Sequence, residues 1–374
     1  MSKLDELIQQ YCPDGVEWKT LGEATIMKRG TSTTKGIMQE GDIPVISGGR
    51  QPAFYCNVSN RTGEVITVAG SGAGAGYVQY WNEPIFVCDA FSIQGNETLK
   101  TKYVYYILTN IQEKIYSTKK GGGVPHVHIS SIDKFEIPVP PLPVQEEIVR
   151  ILDNFTELQA ELQAELQAEL QKRKQQYNYY RDFLLSFQGR TDVQWKRLED
   201  LGVNLDRKRK PIASGKRVRG NIPYYGASGI VDYVEGYIFD GDYLLVSEDG
   251  ANLLTRTYPI AFSIHGKTWV NNHAHVIEFK ERATRKYVEY YLNSIDLSLW
   301  ISAGAQPKLT QDSLNKLTIP VPPLAEQQRV VSILDRFDTL TTDLTQGLPA
   351  EIEKRRQQYE YYRDKLLTFK RKEA

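Results

Sequence analysis

Cysteine is scarce in this chain of 374 residues: only Cys12, Cys56 and Cys88 occur, all in the first quarter and without metal-type spacing. That pattern excludes a disulfide framework and a cysteine-based zinc site. No apolar run approaches the ~18 residues that a membrane-spanning helix needs. The opening MSKLDELIQQYC is polar and unlike a signal peptide, so a soluble, cytoplasmic chain with no membrane contact is expected. Excess charge is also missing, with 46 basic residues against 46 acidic ones. Coating nucleic acid without sequence preference rests on a large basic excess, so the balance argues against that class. A specific binder with its basic residues gathered on one face is not excluded.

Catalytic patterns are equally sparse. AGSGAGAG (Ala69–Gly76) follows one strand-like run and leads into another, so no helix N-terminus stands ready for a phosphate and a hairpin is expected. VPPL (Val139–Leu142 and Val321–Leu324) lacks the polar residue before the prolines, and the aromatic after them, that the tetrapeptide of amino-group DNA methyltransferases carries. His126/His128 and His273/His275 sit two apart, on one face of a strand in each case, with no carboxylate or cysteine cluster nearby in sequence. Without such companions no metal is expected. No cofactor and no catalytic residue is expected either.

What the chain does have is a repeat. IPVPPLPVQEEIVRILDNF (Ile137–Phe155) returns as IPVPPLAEQQRVVSILDRF (Ile319–Phe337), and KRKQQYNYYRDFLLSF (Lys172–Phe187) as KRRQQYEYYRDKLLTF (Lys354–Phe369). The offset is 182 residues, 319 minus 137. Solenoid repeats run to only ~20–50 residues, so this period implies a duplicated two-part module with pseudo-twofold organisation. Proline is tolerated in a helix's first turn but disfavours helix in the residue before it. Each IPVPPL is therefore an extended connector into a helix. In the first copy Ile148, Ile151, Phe155, Leu158, Leu162, Leu166 and Leu170 step by three and four, one buried helical stripe. Tandem ELQA tetrapeptides (Glu157–Lys172) lie inside it. The second copy has unrelated text there, yet Ile333, Phe337, Leu340, Leu344, Leu348 and Ile352 keep the register. The matched register implies two helical segments packed antiparallel as a coiled coil. Gly347 and Pro349 should break the second, whereas the first is uninterrupted from about Val144 to Phe187.

Residues 16–136 and 193–318 form two heads that hold most of the glycines and strand-like runs: Gly63–Gly70, Gly76–Trp81, Asp242–Gly250 and Lys267–Phe279. One helix is expected near the end of each head, Lys102–Tyr116 and Lys286–Trp300, followed by a glycine-rich loop (Gly121–Pro125, Gly304–Pro307). The fold class is thus α+β, two mixed, β-rich heads joined by two long helical segments. LIQQYCPDGVEWKTL (Leu7–Leu21) aligns with LLSFQGRTDVQWKRL (Leu184–Leu198), so adjoining termini and an almost closed two-module ring are expected. Basic residues cluster at Arg207, Lys208, Arg209, Lys210, Lys216, Arg217 and Arg219 in the second head, and at Lys28, Arg29, Lys119 and Lys120 in the first. Most such runs are solvated loops. With Gly and Pro punctuation in a β-rich head, they are also candidates for gripping DNA phosphates.

Taken together, the paired IPVPPL…Q…ILD.F segments, the paired QQY.YYRD.LL.F segments and the opening LDELIQQYCPDGVEWK.LGE resemble the specificity subunit of type I restriction–modification enzymes along the whole chain. The ELQA tandem looks like the spacer repeat of some members. The resemblance implies an N-terminal target-recognition domain (1–143), a central helical spacer (144–188), a C-terminal target-recognition domain (189–323) and a distal helical spacer (324–374). It implies a noncatalytic subunit that binds an asymmetric, bipartite double-stranded DNA site. Two methyltransferase subunits would dock on it, and motor-nuclease restriction subunits would join through the complex. The positions that would carry the methyltransferase contact are Tyr177, Tyr179, Tyr180 and Arg181, with Tyr359, Tyr361, Tyr362 and Arg363. A noncatalytic coiled-coil scaffold whose heads bind protein is the alternative, and a stand-alone DNA-modifying enzyme a third reading.

Overall fold

In a computed structural model of the protein, residues 2–121, 123–187, 190–302, 304, 306–342 and 346–373 are described. Leu344, and Gly122 and Ala305 of the glycine-rich loops, lie outside them. The chain divides into two compact units, Met1–Glu165 with Ile352–Ala374, and Leu166–Glu351.

The first unit is built around a sheet of Ile26–Arg29, Ala90–Gln94, Val65–Ala69 and Val78–Trp81, in that order and all antiparallel. Val65–Ala69 is buried along its whole length, as expected of a central strand whose β-branched residues meet neighbours on both faces. A second sheet sets Ile43–Ile46 between Phe54–Cys56 and Phe86–Val87, the latter pair parallel. The expected hairpin at Ala69–Gly76 is present between Val65–Ala69 and Val78–Trp81. The expected helix Lys102–Tyr116 is two, Thr101–Asn110 and Gln112–Tyr116. The break follows Thr109 and Asn110, residues whose side chains compete with helical hydrogen bonding.

In the second unit the corresponding strands form one sheet of six: Gly202–Asn204, Ala274–Phe279, Phe239–Ser247, Ala261–Val270, Arg219–Gly226 and Gly229–Val234. The ten-residue strand Ala261–Val270 pairs antiparallel with Phe239–Ser247 and parallel with Arg219–Gly226. In the first unit those two roles fall to separate strands, Val78–Trp81 and Phe86–Val87. Pro84 lies between them and cannot donate to a ladder, which explains why one head has a split sheet. The run Lys267–Phe279 divides at a turn over 271–273 between two strands that are not neighbours. His273 therefore lies in that turn and only His275 on a strand. The helix expected over Lys286–Trp300 spans Arg282–Ser294, with a separate 3-10 turn at Ser298–Trp300.

The repeated segments match closely. Glu136–Val139 pairs with Glu17–Thr20, and Thr318–Val321 with Gln194–Arg197, in the same register: Trp18 faces Pro138 and Trp195 faces Pro320. Gln145 Nε2 donates to Pro140 O at 2.7 Å and Gln327 Nε2 to Pro322 O at 2.9 Å, closing each proline turn onto the helix that follows. The central helix runs unbroken over Leu142–Leu184. The distal segment forms Leu324–Thr342 and Leu348–Leu366, with Pro349 in the first turn of the latter, where its missing N–H costs nothing. Val16 N donates to Lys370 O and Lys372 N to Val16 O, both at 2.9 Å, so the first and last segments adjoin inside the first unit.

Within that unit the Phe155 ring lies 6.2 Å from that of Tyr362, and Thr156 Oγ1 lies 3.0 Å from Tyr359 Oη. Rising numbers on one helix meet falling numbers on the other, so the helices are antiparallel. In the second unit Phe337 lies 5.6 Å from Tyr180 and 6.5 Å from Tyr177. Moving Phe155 forward by 182 and Tyr362 back by 182 gives this Phe337–Tyr180 contact, so each unit uses the same aromatic joint. The stripe departs from expectation at Leu158, which is 61% exposed. Its helix buries Ile148 of the stripe, together with Val144 and Leu152 outside it, in the head core with Tyr103, Val104 and Ile107. Leu158 lines an open apolar groove of about 210 Å³ beside Tyr359 and Tyr362.

Candidate nucleic-acid interface

The two heads carry different side chains at register-equivalent positions, at the end of the main sheet where the glycine-rich loop folds back. Ser71 bridges to His126 in the first head and Asp249 to Lys308 in the second. Val127 N donates to Gly70 O at 3.0 Å, and Leu309 N to Glu248 O at 2.8 Å. Strand pairing likewise equates Ala90 with Ala274 and Phe91 with His275; Arg29 pairs with Phe91, and Asp206, just past the end of its strand, bonds His275.

In the second head this place is filled by charged side chains. His275 is fully buried; its Nδ1 lies 2.6 Å from Asp206 Oδ2 and its Nε2 lies 2.8 Å from Leu309 O, so both ring nitrogens face oxygen. Arg209 Nη1 donates to Glu248 Oε2 at 2.6 Å and to Ala274 O at 2.7 Å, and its Nη2 lies 3.3 Å from Asp206. Lys308 Nζ completes the network at 3.0 Å from Glu248. Burial works to raise the Asp206 carboxyl, but the His275 hydrogen bond and charge, the Val276 N–H and Arg209 outweigh it, and the net shift is downward. Burial is likewise outweighed at Glu248, chiefly by hydrogen bonds from Arg209 and Lys308. Asp206, Glu248 and His275 have the residue types of a metal site. The guanidinium and ammonium already neutralise both carboxylates, so the chemistry does not call for an ion. These are companion carboxylates that the sequence did not show beside His275: Asp206 and Glu248 are 69 and 27 residues away along the chain. The expectation of a histidine pair without carboxylates fails there, and again at His273, whose Nδ1 lies 2.9 Å from Asp249.

In the first head the same positions leave an open polar cleft of about 490 Å³. Phe91 replaces the histidine and Gly70 replaces Glu248, removing the filling side chains. Arg29, Ser47, Asp89, His126 and His128 are among its walls. The Ser71 hydroxyl donates to Asp89 Oδ2.

The basic residues singled out in the sequence divide into two groups. Lys28 and Arg29 are exposed at the end of a strand, and Lys120 is exposed where its backbone pairs with His126. Lys119 Nζ lies 4.1 Å from the Tyr116 ring centroid. In the second head Arg207, Lys208, Lys210, Lys216 and Arg219 are exposed. Arg209 belongs to the buried network. Arg217 bonds Asp232 at 3.0 Å and Ile212 O at 3.1 Å while covering the Tyr224 ring, so it braces its own loop. A charge run therefore concealed two structural arginines. Sequence reading missed Asp89, Asp249 and Lys308; the 182-residue offset, which places Pro125 on Pro307 and His126 on Lys308, was the available signal.

The eight aromatic and arginine positions of the helices divide likewise. Tyr177 packs on Phe337, and burial pushes its hydroxyl up to about 12. Tyr359 bonds Thr156, and Arg363 Nε donates to Asn110 at 2.8 Å. Arg181 is paired with Asp182. Tyr179 and Tyr361, again 182 apart, are 66% and 62% exposed, with Tyr180 and Tyr362 beside them at 38% and 41%. Each helix also docks to its own head through a repeated bond: Tyr106 Oη to Asp153 at 2.5 Å, and Tyr290 Oη to Asp335 at 2.6 Å.

Among the described residues no helix is long and apolar enough to cross a membrane. The type I restriction modification DNA specificity domain matches twice, over residues 13–172 and 191–354. The specificity subunit of the Escherichia coli type I restriction enzyme EcoR124I/EcoR124II is 32% identical over 435 aligned positions, covering 100% of this chain and 98% of that one. A protein of Haemophilus influenzae named as a type I restriction enzyme specificity subunit is 41% identical over 191 residues, where the match spans 50% of this chain and only 49% of the relative. The solved S subunit of a type I restriction-modification system from M. genitalium shares the fold, with a TM-score of 0.51 at 19% identity over 94% of this chain and 95% of that one. With the family domain present twice and covering most of its length, this chain belongs to the type I restriction–modification DNA specificity subunits.

Proposed function

We propose that the chain gives a type I restriction–modification complex its DNA sequence specificity in the cytoplasm, without catalysing a step itself. Each head binds one half of an asymmetric bipartite site in double-stranded DNA, and the helical segments fix the gap. The functional division follows 1–143 and 189–323 as target-recognition domains, with 144–188 and 324–374 as spacers. One observation carries this reading: two heads of one topology hold different chemistry at register-equivalent places, an open cleft in one and a filled ionic network in the other. Repeated framework with divergent surface is what reading two different sequences requires, because base edges are told apart by donor and acceptor pattern.

Phosphate contact falls to the exposed Lys28, Lys120, Arg207, Lys208, Lys210, Lys216 and Arg219 and to the half-buried Lys119, while Arg29 meets DNA from the cleft. Arg209 and Arg217 support them from within the loop. Two methyltransferase subunits dock on the exposed tyrosines of the paired repeats, one at Tyr179 and Tyr180 and one at Tyr361 and Tyr362; restriction subunits join through the complex. Solvent-exposed aromatics of this kind are enriched at protein interfaces. Co-expression with a methyltransferase subunit, followed by mapping of methylated adenines, tests the reading. A single asymmetric bipartite motif is expected. A palindromic motif, or binding of the heads to protein with no DNA selectivity at stated salt, overturns it.

A further inference from the structure

The first head's cleft has features of a site rather than of a gap in packing. Its glycines are structural: a Cβ on Gly30 would come within 2.0 Å of Cys88 O, and one on Gly70 within 3.1 Å of Asp89 O. Backbone segments are thus held edge to edge around the opening. The Arg29 backbone is fixed by Arg61, whose Nη2 donates to Arg29 O at 2.7 Å while its Nε donates to Ser92 at 2.7 Å. The Arg29 guanidinium itself has no ion pair among the described residues. That contrasts with Arg209 and Arg217, which are consumed by their own loops. Asp89 also lines the cleft, with one oxygen engaged by Ser71 and the other with no partner among the described residues. His126 and His128 line it too, with parallel rings 6.0 Å apart.

We infer that the cleft bounded by Arg29 and Asp89 reads a G·C base pair in the half-site of the first head, Arg29 donating to guanine and Asp89 accepting from cytosine. This rests on the proposed function and sharpens it. In the major groove guanine offers two adjacent acceptors, O6 and N7, which a guanidinium meets with two parallel donors. The paired cytosine offers an N4 donor, which needs a carboxylate acceptor. A site for phosphate alone would not line its cleft with a carboxylate as well as an arginine, because the acid repels the backbone. The second head cannot read with this place, since Asp206, Glu248, His275, Arg209 and Lys308 satisfy one another there.

The experiment is selection of duplexes from a randomised pool by the full chain in complex with its methyltransferase subunits, at fixed salt. Wild type is compared with Arg29→Ala and Asp89→Asn, both checked for a wild-type melting temperature. The expected result is loss of discrimination at one G·C position of one half-site by roughly 5- to 150-fold, the span of a good bidentate contact. Both variants should relax the same base pair, and the other half-site and the gap should stay as they were. Uniform weakening on all sequences with a shallower salt dependence would make Arg29 a phosphate contact and overturn the inference, as would an unchanged motif in both variants. If wild type selects no bipartite motif, the failure belongs to the proposed function and not to the cleft.

Discussion

Deleting one ELQA unit, Glu161–Ala164, tests the spacer quantitatively. The central helix is continuous over Leu142–Leu184, so loss of four residues shortens it by about 6 Å and turns its far end by about 40°. Leu162, Leu166 and Leu170 are half-buried and four apart. After the deletion Leu166 occupies the place of Leu162, and the apolar stripe survives with a small drift in phase. Duplex DNA advances about 3.4 Å per base pair, so a 6 Å change corresponds to between one and two base pairs. The expected motif therefore keeps both half-sites and loses one or two unspecified positions between them, read by mapping methylated adenines or by duplex selection. Removing only Gln163 and Ala164 is the control. It rotates the following leucines by about 160° away from their contacts and should lower the melting temperature and weaken binding to every sequence. An unchanged gap in the four-residue deletion, or altered half-sites, would refute the reasoning.

Further outcomes are expected elsewhere. Arg209→Ala leaves Asp206 and Glu248 short of their cation and should cost about 3–5 kcal/mol in chemical denaturation. Arg207→Ala, at an exposed position, should leave stability unchanged and reduce the salt slope of DNA binding by about 0.9. The Tyr106→Phe, Asp153→Asn double-mutant cycle should show a coupling of about 1–2 kcal/mol, with the Tyr290, Asp335 cycle similar; a coupling near zero would mean the head is held by apolar packing alone. The hydrogen bond from Arg150, aided by Lys3, holds Glu147 down at about 2. Its folded value lies below its ordinary one, so its stabilisation is present above about pH 4.5 and lost as pH falls towards 2. Glu147→Gln should flatten the stability of the first unit across that window, measured by thermal melts at stepped pH. Tyr179→Ala and Tyr361→Ala should each weaken association with a methyltransferase subunit at least about fivefold, read by sedimentation, while leaving stability unchanged.

Much of the frame was legible in the sequence. Identity at a 182-residue offset fixed the paired connectors, and helical periodicity located the central helix and the break at Gly347 and Pro349. These features are local: a proline ring, a three-and-four spacing and a strong helix former act through neighbouring residues. Leu158 was misjudged because periodicity tells which residues share a face, not which face the head covers. The heads were less legible. Their strands are short, and the exchange of one ten-residue strand for two broken at Pro84 depends on pairing between distant segments.

The candidate site was decided almost wholly by tertiary structure. Counting charges put Arg207, Arg209 and Arg217 in one class, yet folding buries one in an ion network, lays another on Tyr224 and leaves the third in solvent. Asp206 meets His275 only because two strands pair antiparallel across 69 residues, and Gly70 and Phe91 open a cleft only because their counterparts elsewhere would fill it. Sequence alone determined that two related heads share one helical frame, since local preferences and repeated text encode it. Which side chains face DNA and which neutralise each other was set by long-range packing, where burial makes an unpaired charge too costly to leave alone.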